Sequence, residues 1–85
     1  MDTNGITGMT IGCAIRVSIV LGTGYLEKVY ENALAHEIRK SQLRGLQQAQ
    51  IAVVYDGVEV GHYSPDLLVE REIIVELKAA REIDE

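Results

Sequence analysis

The chain has 85 residues, a formal net charge of −5, 47% hydrophobic residues and 25% charged residues. That length allows one domain with one modest core. The negative balance excludes a protein that coats nucleic acid through bulk positive charge, although metal ions can neutralise an acidic site and Arg39, Lys40 and Arg44 form a local basic cluster. The single cysteine, Cys13, excludes an internal disulfide and points to a reduced, cytoplasmic setting. Its apolar surroundings predict a buried structural thiol.

The first element is a helix over Ile6 to Leu21. Apolar residues fall almost all round it, so it is expected to be buried or to pair with a partner. Thr7, Thr10, Arg16 and Ser18 interrupt the run. It reads as too short and too broken to cross a membrane, which takes about 20 apolar residues. It also lacks the basic start of a signal peptide. Gly22-Thr23-Gly24 ends the helix. A second helix is expected from about Leu26 to Leu43, with Leu26, Val29, Tyr30, Ala33, Leu34 and Ile38 on its apolar stripe. Lys28, Glu31, Asn32, Arg39 and Lys40 fall on the opposite, polar face, and Gly45 marks the exit.

Ile51 to Tyr55 reads as a strand, and Asp56-Gly57 as a two-residue hairpin turn. Val58 to about Val69 is expected to form one long strand, disturbed at Gly61 and Pro65. The polar loop Glu70-Arg71-Glu72 leads into a third strand, Ile73 to Ala79. The tail Arg81–Glu85 is polar. The order predicts an α+β fold, two N-terminal helices packed on a three-stranded, mainly antiparallel sheet.

A hairpin closing about Arg71 places Asp66 opposite Glu76, because both lie five residues from the turn's centre. Opposed residues hold their Cβ atoms about 4.5–5.5 Å apart. A one-residue slip would break the opposition. Glu76 and Lys78, two apart, point to the same face. Asp66, Leu68, Ile74, Glu76 and Lys78 then share one face. Leu67, Val69, Ile73, Val75 and Leu77 share the other, which should be core. Two acids and an ammonium on one face suit a divalent-metal site with an electrostatic helper. The rival reading is a plain cross-strand salt bridge to Lys78.

Gly24-Tyr25-Leu26-Glu27-Lys28-Val29-Tyr30 matches Gly-x-x-Glu-x-x-Tyr. With Asp66 and Glu76-Leu77-Lys78 it resembles the GxxExxY protein family, within the PD-(D/E)XK nuclease-like superfamily. The resemblance runs from Asn4 to Ala79. It implies a restriction-endonuclease-like core and metal-dependent hydrolysis of nucleic-acid phosphodiesters, with Mg²⁺ or Mn²⁺ as cofactor. Asp66 and Glu76 become the metal-binding carboxylates, Glu27 a further acid on the helix, and Lys78 the catalytic ammonium. Tyr30, one turn on from Glu27, becomes a supporting residue for Glu27 or for a phosphate.

Two features depart from that pattern. The first helix has no histidine before Leu21-Gly22, and Thr23 stands where a proline is common. The resemblance also implies a helix and a strand after Lys78. The expected domain, residues 1–85, lacks both, so self-association into a homo-oligomer is expected to cover the bared face. The alternative function is a nuclease-fold binding module with little or no catalysis. Glu27 alone also reads as a helix N-terminal acid, Tyr30 as a core ring, and His36 and His62 as surface residues. Arg39, Lys40 and Arg44 read as a solvated helix end, with phosphate contact as the lesser alternative.

Overall fold

A computed structural model describes residues 2–78. Ala79 and the tail at 81–85 lie outside the described residues. The chain folds as α1 (Thr3–Leu21), α2 (Glu27–Lys40), β1 (Gly45–Gln47), β2 (Ile51–Tyr55), β3 (Val58–Tyr63), β4 (Leu67–Val69) and β5 (Ile73–Val75). The fold is α+β, as the element pattern predicts.

Helix α1 begins three residues before the expected start, because the Asp2 carboxylate accepts the Gly5 N–H at 2.8 Å and caps the first turn. Ile6, Thr10, Cys13 and Val17 form its buried stripe. Thr10 is satisfied within the helix, its hydroxyl donating to the Ile6 carbonyl at 2.8 Å. Cys13 is buried, as expected, with its Sγ 3.4 Å from the Ser41 hydroxyl. At 19 residues and a mean hydropathy of 1.4, α1 is long and apolar enough to cross a membrane by length and composition alone. The extra turn is what overturns the expectation that this stretch is too short.

Helix α2 buries Glu31, Leu34, Ala35 and Ile38 at i, i+3, i+4 and i+7 spacing. It stops at Lys40 rather than Leu43. Gln42 takes a φ of 68°, and the Leu43 N–H turns back to the Ile38 carbonyl at 3.2 Å. Leu43 is buried there.

The expected single sheet of three strands is two sheets. One has the order β1-β4-β5; the other is the ribbon β2-β3. The break is at Pro65, which is fully buried and has no N–H to continue a ladder. The expected strand 58–69 therefore divides into β3 and β4, and β4 pairs with β1, an element of only three residues that periodicity did not mark. The Asp56-Gly57 turn forms as expected, both residues at positive φ (53° and 76°) in the manner of a type I′ hairpin.

The core gathers Ile6, Cys13 and Val17 from α1, Leu34, Ala35 and Ile38 from α2, Leu43, and Leu67 and Val69 from β4. Ile73, Val75 and Leu77 pack against its edge. The apolar face foreseen for the last hairpin is thus the one that meets the helices.

Candidate active site

Strands β4 and β5 pair antiparallel as Leu67↔Val75, Leu68↔Ile74 and Val69↔Ile73. This is the register that a turn centred on Arg71 requires. Asp66 and Glu76 are one step beyond the last pair, on opposite strands. Their shared neighbourhood is visible in two contacts. The Asp66 Oδ2 accepts the Leu77 N–H at 2.9 Å, which holds the two chain ends together past the ladder. The Glu76 Oε1 accepts the hydroxyl of Tyr63.

Tyr63 is the residue that sequence reasoning missed. It ends β3, two residues before Pro65, and the turn at Pro65 swings its phenol over the end of the next hairpin. The hydrogen bond to Glu76, lost solvent, and the charges of Glu76 and Asp66 push its pKa above the ordinary phenol value. The phenol therefore lies in the field of both carboxylates. An available signal was its place three residues before Asp66, with a turn-forming proline between them.

Asp66 is further fixed from its backbone side. Its carbonyl accepts the Gln48 N–H at 3.2 Å. The Gln48 side chain in turn donates to Glu31 Oε1 at 3.1 Å. Gln47 and Lys28 donate to Glu31 Oε2 at 2.6 and 2.9 Å. Glu31 is therefore buried, only 4% exposed, and not on a solvated face as its helical position suggested. Burial pushes its carboxyl up, but the hydrogen bonds from Gln47, Lys28 and Gln48 and the Lys28 charge outweigh this and hold it below its ordinary value.

Glu27 takes the first position of α2, after Leu26, which supplies no side-chain cap. It lines a cleft of about 240 Å³ with Tyr25, Tyr30, Leu34, Leu77 and Lys78. Glu27 and Lys78 thus share one cleft. Asp66 and Glu76 do not line it, and segment 76–78 joins the two groups. Among the described residues, no three His, Cys, Asp or Glu side chains come together in a group able to hold a metal ion.

Tyr30 is half-buried, lines the same cleft as Glu27, and turns its hydroxyl to the loop before α2. It donates to the Gly22 carbonyl at 2.8 Å and accepts the Tyr25 N–H at 3.2 Å. The Gly-x-x-Glu-x-x-Tyr motif therefore closes on itself. The tyrosine one turn into α2 pins the Gly22–Gly24 turn, where Gly24 has a φ of 107°. His36 and His62 are exposed, and His62 lies 3.0 Å from Glu59. Arg39 is not a free helix-end cation: it donates to the Gly45 carbonyl at 2.9 and 3.1 Å and anchors α2 to β1. Lys40 lies 3.4 Å from Glu37.

The donor chemistry fits a hard divalent cation. Asp66 and Glu76 offer carboxylate oxygens, and each spends one oxygen on a hydrogen bond within the chain. The second oxygens, Asp66 Oδ1 and Glu76 Oε2, make no hydrogen bond among the described residues. Mg²⁺ needs only one or two carboxylates from protein, with water and phosphate completing its shell.

Comparison with curated proteins and with solved structures gives no significant match. A family model described as the PD-(D/E)XK nuclease superfamily matches residues 4–85. That span takes in both helices, both sheets and the acid–acid–lysine hairpin, and the chain belongs to the PD-(D/E)XK nuclease superfamily.

Proposed function

We propose that the chain is a divalent-metal-dependent nuclease of the GxxExxY group, hydrolysing phosphodiester bonds of nucleic acid. The observation that carries this reading is the β4–β5 register, which brings Asp66 and Glu76 to opposing positions just beyond the ladder, with Lys78 two residues on. Asp66 and Glu76 would hold Mg²⁺ or Mn²⁺, and Glu27, which shares its cleft with Lys78, is the third acid of the reading. A bound cation supplies Lewis acidity toward a phosphoryl oxygen and lowers the pKa of water. The chain's own groups do the rest. Lys78 balances charge developing on the phosphate or orients the attacking water. Tyr63 orients Glu76, and Gln48 orients Asp66.

Metal-dependent cleavage of labelled DNA and RNA tests this reading. Glu76→Ala and Lys78→Ala should each abolish cleavage, with circular dichroism unchanged. Absence of millimolar-range Mg²⁺ or Mn²⁺ binding, together with an inert Asp66→Ala, would sink it. A second reading, a binding module with little catalysis, draws on the engagement of both carboxylates by Leu77 and Tyr63. Metal binding without cleavage of any nucleic acid would select it.

A further inference from the structure

Glu31 keeps a carboxylate where one is costly to keep. It is buried, and a buried carboxylate must have its oxygens paired. Lys28 and Gln47 serve Oε2, and Gln48 serves Oε1. Gln47 also donates to the Asn32 Oδ1 at 2.7 Å. Packing alone requires none of this, since an apolar side chain in the same place would need no donors.

The two glutamines are neighbours in sequence, and successive side chains of a strand point to opposite faces. The face of β1 toward α2 is marked by Gly45, where an added Cβ would lie 3.1 Å from Ile38, and by Gln47, two residues on. In a continued strand Gln48 would fall on the other side, with the exposed Leu46. It reaches Glu31 because its backbone leaves the strand, at a φ of 56°. That is the left-handed region, which is strained for a residue with a Cβ. Such a conformation persists only where its surroundings enforce it, and it gathers at functional sites. The hydrogen bond to Glu31 is a contact that enforces it.

In this conformation the Gln48 N–H meets the Asp66 carbonyl at 3.2 Å, one step past the Gln47↔Leu67 pair. Asp66 is then held from two sides, by Gln48 on its carbonyl and by Leu77 on its Oδ2. We propose that Glu31 positions Asp66 for metal binding, by holding Gln48 in the left-handed conformation that engages the Asp66 backbone. This rests on the reading of Asp66 as a metal ligand. The role is indirect, and it gives the buried acid of α2 a task at the site.

Glu31→Gln keeps the shape of the side chain but presents a donor group where Glu31 has only acceptors, so the set of contacts cannot stay intact. Two measurements on the whole chain test the proposal. In metal-free protein, amide hydrogen exchange followed by NMR should show the Gln48 and Leu77 N–H groups losing more protection than those of Cys13 and Val17 in α1. Isothermal titration should show Mn²⁺ affinity falling by about tenfold. Gln48→Ala cuts the same link from an exposed residue, should Glu31→Gln unfold, and should lose the same affinity. Adding Gln48→Gly to Glu31→Gln should restore the affinity, because glycine takes the left-handed conformation without support.

A residue that only stabilised the fold would shift all four amides alike and leave the affinity of the folded protein unchanged. Either result overturns the proposal. Failure of Gln48→Gly to restore affinity overturns the part played by the left-handed conformation. If the wild-type chain binds no Mn²⁺, or Asp66→Ala binds it equally well, the metal reading fails instead, and the exchange result alone decides whether Glu31 fixes Asp66.

Discussion

The Tyr63 hydroxyl donates its hydrogen bond to Glu76, joining the end of the β2–β3 ribbon to the acid that follows β5. The two sheets share no ladder, so this bond is a specific tie between them at the candidate site. It engages one Glu76 oxygen and so restricts rotation of the carboxylate. A carboxylate ligand oriented by an outer donor binds metal better than one that rotates freely.

Tyr63→Phe keeps the ring and removes the donor. Mn²⁺ affinity, read by isothermal titration, should fall by about tenfold, and the far-ultraviolet circular dichroism should not change. An unchanged affinity would show that Tyr63 does not act through Glu76.

The same bond sets an alkaline limit. The phenol pKa is raised by the hydrogen bond to Glu76, by lost solvent, and by the Glu76 and Asp66 charges. A raised folded-state pKa means that the contribution is fully present below the unfolded value, near 10, and is lost as pH climbs through the folded one. Wild-type melting temperature should therefore drop above pH 10 more steeply than that of Tyr63→Phe. Parallel curves would refute the coupling.

Asp66→Asn separates charge from shape. The amide oxygen can still accept the Leu77 N–H, but the repulsion between opposed acids is gone. Without divalent ions the variant should be more stable by roughly 0.2–1 kcal/mol, and it should bind Mn²⁺ far more weakly than wild type. A melting temperature equal to or below that of wild type in EDTA would count against the pairing of Asp66 with Glu76.

How much of this was legible in the sequence differs from residue to residue. The register of the last hairpin followed from the symmetry of Val69 and Ile73 about Arg71, because a period of two leaves only one pairing that buries Leu67, Val69 and Val75 together. Pro65 announces a disturbance, but where the chain goes afterwards depends on β1. A three-residue strand has too little pattern to announce itself. Tyr63 was hidden for the same reason, since its approach to Glu76 is made by the turn between sheets. Glu31 was misplaced because helical spacing alone put it among charged neighbours. Its burial depends on Gln47 and Gln48 arriving from β1 and the residue after it.

Glu31 is therefore a test of how that corner is built. Its carboxylate collects Gln47, Gln48 and Lys28, and Gln48 holds the Asp66 backbone. Glu31→Ala leaves these donors without their acceptor and should destabilise the fold by about 1–3 kcal/mol in urea titrations. The acid dependence follows from the lowered pKa. A depressed folded-state value gives stability that is present above the ordinary glutamate range and lost as pH falls through the folded value. Wild type should lose more stability than Glu31→Gln between neutral pH and pH 3. Equal losses would mean that the carboxylate charge contributes nothing there.

Arg71 is the last test, because the register of the candidate site turns on it. Glu70 and Arg71 both adopt the left-handed region, at φ of 53° and 56°. Glu70 has compensation, since its carboxylate accepts the Arg44 N–H at 2.5 Å and its own N–H donates to the Arg44 carbonyl at 2.9 Å. The Arg71 side chain is exposed and makes no hydrogen bond or ion pair among the described residues. A left-handed residue with a Cβ costs roughly 1–2 kcal/mol, and glycine gives back part of that through the freedom of the unfolded chain. Arg71→Gly should therefore stabilise the protein by about 0.5–1 kcal/mol. Arg71→Val should destabilise it by at least as much, because a β-branched residue fits that region worst. If Arg71→Gly melts lower than wild type, the turn is not built on a left-handed Arg71, and the opposition of Asp66 and Glu76 that depends on it falls as well.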